Sequence, residues 1–399
     1  MAWIAIDGRH HVIRLLAFLL VLLLMESVLQ VLCLVSDDAS FMLGDGRWTR
    51  AHLFRRGLGR IEDPIRKDID ANGFQNAFIP DKASIVVLGD SFSYSYLMDF
   101  KTAWPHRLSE RRVYNMAVPG FGPTHGLVLF DDALAFDPET IIYAVYLGND
   151  LIDSFLYPYY GIHDIEGLRL NSSIAGDIHA LEVADPLFPK LLICVKKSNL
   201  SFTEHITEPP ETNNFIQKHS RLYGLFRAVY HELFLRGSSD ALKTVRGCSR
   251  NDCMPFTKGN ISMDLHLCFT RLSLDIKDPR VGQGYLNMVD SLRMMHERAG
   301  SEGTDFIVVI FSTPEYGFAP SMRDANISWS DYDKRILLEE LILNDLKADL
   351  DDANISYIDT SGVFADSILA GEMVYNNKSH QNERGHEIVA RLVDGYLDH

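Results

Sequence analysis

The chain has 399 residues, 47% of them hydrophobic and 23% charged, with a formal net charge of -16. That apolar content supports a substantial core and excludes a disordered protein. The acidic balance, with no Lys/Arg stripe interleaved with aromatics, excludes nucleic acid as a partner. No Cys-x-x-Cys or His-Glu-x-x-His spacing points to a metal, and no cofactor is expected.

Leu15 to Met25 is uninterruptedly apolar, and beyond Glu26 the apolar character resumes as far as Val35, about the width of a bilayer. Arg9 and Arg14 precede this run and Asp37 and Asp38 follow it. Residues 1–36 are therefore expected to form a cytoplasmic tip and a single transmembrane anchor, with the rest of the chain outside the cytoplasm. A cleaved signal peptide is the competing reading, although no clean small-x-small pair follows the run. Residues 37–80 have no sustained period and read as a stem. Of the five cysteines, four lie beyond the N-terminal segment, a number compatible with two disulfides or with free thiols.

From Ser84 the pattern alternates strands with helices. Ser84 to Leu88 reads as a buried parallel strand closed by Gly89-Asp90-Ser91, with Ser91 expected at the start of a helix whose free N–H groups favour developing negative charge. Taken alone, that triplet reads better as a helix cap after a core strand. Further strands are expected at 111–115, 140–147, 305–311 and 355–358, and helices at 124–136, 284–299, 332–350 and 383–397. This rhythm predicts an α/β domain over 81–399 with a central parallel sheet covered on both faces. Between about 155 and 280 the rhythm is lost, which reads as a large insertion at the C-terminal edge of the sheet or as a separate domain.

Four blocks then stand in order: Gly89-Asp90-Ser91, Asn115-Met-Ala-Val-Pro-Gly120, Gly148-Asn149-Asp150 and His380-Gln-Asn-Glu-Arg-Gly-His386. Together they resemble the SGNH hydrolases, or GDSL-type esterases, over residues 84–154 and from 284 to the end, with the spacer of the Gly-x-Asn block missing or shifted. The resemblance implies a three-layer flavodoxin-like fold and a membrane-anchored member of that family. It also implies Ser91 as nucleophile, His380 as its base, and Ser91, Gly120 and Asn149 as oxyanion donors. The chemistry suits these types, because a serine hydroxyl attacks only when a positioned base takes its proton, and the oxyanion needs several donors at once. His386 reads as a packing or capping residue.

One departure stands out. The family places an aspartate two or three residues before the histidine, where this chain has Lys378 and Asn377. Asn377 can accept the imidazole N–H and fix its tautomer without stabilising imidazolium by charge. A Ser-His dyad, or a carboxylate from elsewhere such as Asp359, are the alternatives. The implied activity is cleavage of acyl esters, foremost acetyl esters of carbohydrates. An O-acyltransferase in polysaccharide modification and a catalytically weak carbohydrate-binding pseudoenzyme remain as the other readings.

Overall fold

The computed structural model describes residues 52–55, 59–62, 68–95, 98–108, 111–160, 253–259, 261–266, 273–328, 330–376 and 380–398, with 21, 24, 25, 27, 28, 165, 168 and 178 besides. The chain divides into two units, Met1–Leu53 with Thr207–Leu242 and Phe54–Ile206 with Lys243–His399. The main sheet and the helices that cover it belong to the second, and β1 lies on the boundary between the two.

β1 (His52–Arg55) and β2 (Gly59–Glu62) form a small sheet of their own. β3 (Ile85–Gly89), β4 (Val113–Asn115) and β5 (Thr140–Tyr146) belong to the main sheet, and β6 (Cys253–Lys258) and β7 (Ile261–His266) make an antiparallel hairpin. β8 (Asp305–Phe311) and β9 (Ser356–Asp359) complete the main sheet, which is wholly parallel in the order β4-β3-β5-β8-β9. Numbered among themselves these five strands run 2-1-3-4-5, a doubly wound order. Its direction reverses between β3 and β5, and open α/β sheets bind ligands beyond the strand ends at such a point.

The β-branched and aromatic runs explain why the sheet is buried on both sides. Val86, Leu88, Ile141, Tyr143, Val145, Val308 and Ile310 face one core. That core is covered by α1 (Pro123–Leu134), α3 (Pro279–Ser301) and the second half of α5 (Ser330–Asp352). The alternate residues Val87, Ile142, Ala144, Val309 and Phe311 face the other core. Its cover comprises α4 (Pro314–Asp324), α6 (Ser361–Leu369) and α7 (Glu383–Leu397), together with the apolar side of the β6–β7 hairpin. α2 (Asp150–Tyr160) follows β5 and packs on α3.

The structure departs from the sequence reading in several places. Ser91 does not start a helix: residues 91–94 are a turn, followed by 3-10 helices at Phe100–Thr102 and Trp104–Arg107. Asp90 closes that turn, its carboxylate accepting the Phe92 N–H at 2.8 Å and its carbonyl accepting the Ser93 N–H at 3.2 Å. α2 runs on through Pro158, which masked it in the sequence, and α4 likewise contains Pro320. The short α6 and the β6–β7 hairpin were also unforeseen. Residues 68–80, expected within the stem, include the buried Phe74 and an Asn76 that exchanges hydrogen bonds with the backbone of Asn115 at 2.9 and 3.0 Å. Most of the expected insertion at 155–280 and most of the expected anchor lie outside the described residues. Val21, Leu24, Met25, Ser27 and Val28 are helical and exposed, and among the described residues no helix is long and apolar enough to cross a membrane.

Candidate active site

Gly89 ends β3 against Ala144 of β5, with φ of +144° and room for no side chain, since a Cβ there would lie 2.8 Å from the Ala144 carbonyl oxygen. Only glycine fits this close approach, and the chain then turns through Asp90 to present Ser91. Ser91 is partly exposed, while Asp90, Phe92 and Ser93 around it are buried.

His380 enters from the other end of the chain. Its Nε2 lies 3.0 Å from Ser91 Oγ, within hydrogen-bond reach. The loop carrying it is pinned by Asn376, whose backbone N–H donates to the His380 carbonyl at 2.7 Å, and by Asn382, which caps α7 by accepting the Gly385 N–H at 3.0 Å. Asn377, expected to orient the imidazole, lies outside the described residues. Asp359, the alternative carboxylate, accepts from the backbone and hydroxyl of Ser361 and pairs with Lys347. His386 is buried, its Nδ1 accepting the Trp104 N–H at 3.3 Å. Desolvation, helped by the Arg107 charge, pushes it down to about 3, so it packs as neutral imidazole.

The glycine block runs alongside the end of β3. Met116 N–H donates to the Val87 carbonyl at 2.8 Å and Val118 N–H to the Gly89 carbonyl at 3.0 Å. Gly120 follows with φ of +83° and open space where a Cβ would be, so it is glycine for its backbone conformation alone. Asn115 clasps the two blocks: its Nδ2 donates to the Ser93 carbonyl at 2.8 Å, and its Oδ1 accepts the Ala117 N–H at 3.1 Å. The sequence reading placed Asn115 in the glycine block without this role.

Asn149 lies between β5 and α2, partly exposed, with its Nδ2 donating to Asp153 Oδ2 at 2.6 Å and its amide close enough to the Asp90 carboxyl to lower that group's pKa. Burial pushes Asp90 up to about 6 and Asp153 up to about 8, and it also raises Asp150, whose carboxyl accepts the Tyr146 N–H at 2.9 Å. The Asp90 charge raises Asp150 and Asp153 further, and Asp153 raises Asp150, because like charges in a desolvated corner disfavour ionisation. The sequence reading missed Asp153. Its signal was the four-residue spacing from Asn149 at a helix start, hidden because α2 itself was not foreseen.

An aromatic floor completes the site. Phe92 stacks on Tyr146 with centroids 3.7 Å apart and lies 5.6 Å from the His380 ring. Trp104, fully buried, donates its indole N–H to the Phe92 carbonyl at 3.2 Å. Among the described residues no group of three or more His, Cys, Asp or Glu is placed to hold a metal. A serine hydroxyl, an imidazole within its reach and amide donors nearby are the parts that acyl transfer requires.

No family model matches the chain, and no curated protein matches it. Three solved structures illustrate its likeness to known folds. A GDSL-like lipase from Bacteroides thetaiotaomicron shares 8% identity over 79% of this chain and 87% of its own, with a TM-score of 0.32. A catalytic mutant of an acetylxylan esterase from Geobacillus stearothermophilus shares 10% over 79% and 94%, with a TM-score of 0.33. An alpha/beta hydrolase from the metagenome of Lake Arreo, Spain, shares 11% over 80% and 98%, with a TM-score of 0.34. At such TM-scores the reading of function rests on the site itself.

Proposed function

We propose that the protein is a membrane-anchored serine esterase of the SGNH type, cleaving acyl esters outside the cytoplasm, foremost acetyl esters of carbohydrates. The observation that carries this reading is the 3.0 Å approach of His380 Nε2 to Ser91 Oγ beside the sheet's switch point. Ser91 Oγ attacks the ester carbonyl as His380 takes its proton, and the resulting oxyanion is held by the N–H groups of Ser91 and Gly120 and by the Asn149 amide. Collapse expels the alcohol, which leaves with the proton from His380. Water, deprotonated by the same imidazole, then releases the acid and restores Ser91. The choice of acetyl groups and carbohydrates follows from the resemblance of the four blocks. The full chain, purified in detergent, is expected to release nitrophenol from 4-nitrophenyl acetate, and Ser91→Ala to lose that activity while keeping its melting temperature. Full activity in Ser91→Ala would overturn the nucleophile and the reading with it.

A further inference from the structure

The geometry points to Asp153 as a positioning residue that holds the Asn149 amide with its nitrogen turned towards the nucleophile corner. This inference rests on the proposed function and adds a part to its oxyanion site. An asparagine amide has two faces of similar shape and opposite polarity, so an oxyanion donor is useful only if something selects the nitrogen side. Here Nδ2 donates one hydrogen to Asp153 Oδ2 at 2.6 Å, and the amide lies beside the carboxyl of Asp90, the neighbour of Ser91, leaving its second hydrogen for the oxyanion. Oδ1, meanwhile, is turned into a buried spot where it has no hydrogen-bond partner. Leaving a buried carbonyl unsatisfied is unfavourable, so the orientation is held by the bonds on the other side. Turned over, the amide would set its oxygen against the carboxyl of Asp153, repelled where that group is ionised. In either protonation state Asp153 keeps an oxygen able to accept, and it gains or loses no atom in the reaction.

Asp153 is the fourth residue after Asn149 and sits in the first turn of α2. The backbone bond from Asp153 N–H to the Asn149 carbonyl at 2.9 Å fixes that spacing, so the carboxyl is placed by the helix rather than by a mobile loop.

The test is a cycle of purified full-length variants on 4-nitrophenyl acetate. Asp153→Leu, similar in size but unable to accept, is expected to lower kcat about tenfold, less than loss of a donor itself, with KM within about twofold. Asp153→Asn, whose carbonyl accepts the same hydrogen, restores kcat to within about threefold of the parent and keeps the test alive if the leucine variant fails to fold. In an Asn149→Ala background, Asp153→Leu should change kcat by less than about twofold, because the group it positions is gone. An undiminished tenfold loss in that background, or an asparagine variant no better than leucine, would overturn the inference. Asn149→Ala at full turnover would overturn it too, while Ser91→Ala remained inactive and the proposed function stood. Full turnover in Ser91→Ala would instead bring down the proposed function.

Discussion

Ser91 and His380 stand 289 positions apart in the chain and 3.0 Å apart in space, and neither is held by the other. Ser91 owes its place to the Gly89 approach on Ala144 and to the Asp90 turn, and His380 to the asparagines that pin its loop. Because that turn is not a helix start, stabilisation of the oxyanion falls to individual donors rather than to a helix dipole. Asn149→Ala is accordingly expected to lower turnover on the order of 10²-fold with little change in KM. A loss confined to KM in steady-state kinetics would instead make Asn149 a binding residue. Ser91, Gly120, Asn149 and His380 could be named as candidates from the sequence because the four blocks that hold them stand in order among the expected strands and before the closing helix. The roles of Asn115 and Asp153 were not legible, since a clasp between two loops and a helix starting at Asp150 leave no pattern in a single chain.

The elements that carry the site depend on close backbone contact. A Cβ on Gly284 of α3 would fall on the Leu151 carbonyl oxygen in the first turn of α2. Alanine is the better helix former by about 1 kcal/mol, yet here the clash outweighs it, since a backbone carbonyl cannot step aside as a flexible side chain can. Gly284→Ala should destabilise the protein by about 1–3 kcal/mol in denaturant unfolding and, by displacing α2, reduce turnover as well. A stabilised and fully active variant would mean that α2 and α3 are not packed this closely. On the other face, Glu339 of α5 is completely buried and accepts the Thr313 N–H at 2.6 Å and the Thr313 hydroxyl at 2.5 Å, tying α5 to the start of α4. Desolvation pushes its carboxyl up from 4.5 to about 7. The folded state therefore favours the proton more than the unfolded chain does, so stability falls as pH rises from about 4.5 to about 7 and levels off above. Glu339→Gln, neutral throughout, should gain in melting temperature over the parent as pH is raised from 5 to 8. A difference constant with pH would place the titration elsewhere. Pro158 and Pro320 show why α2 and α4 escaped the sequence reading: proline inside a pattern reads as a break, whereas tertiary packing kept both helices whole.

At the scale of the whole molecule, the parallel sheet was legible because runs such as 140–147 and 305–311 are too apolar for anything but a doubly buried strand. Strand order was not legible, since it depends on which helices cross over which face. The 2-1-3-4-5 order brings the end of β3, with Ser91, beside the end of β5, with Asn149, at the switch point. The proposed anchor gives this site a side of the membrane. With Arg9 and Arg14 retained inside, protease added to intact spheroplasts should digest the domain, and the domain should sediment with membranes. Protection from protease would reverse the topology, and recovery of a soluble form beginning after residue 36 would replace the anchor with a cleaved signal.

The buried indole of Trp104, bonded to the carbonyl of the residue after Ser91, makes the protein its own optical reporter. Indole emission follows the polarity around its N–H, and a group attached covalently to Ser91 shifts the peptide to which that N–H is tied. Reaction with a serine-directed phosphonate should therefore change the fluorescence at the rate at which activity is lost. The chain has four tryptophans, so Trp104→Phe is the control, and a signal that survives it in full would come from one of the other three.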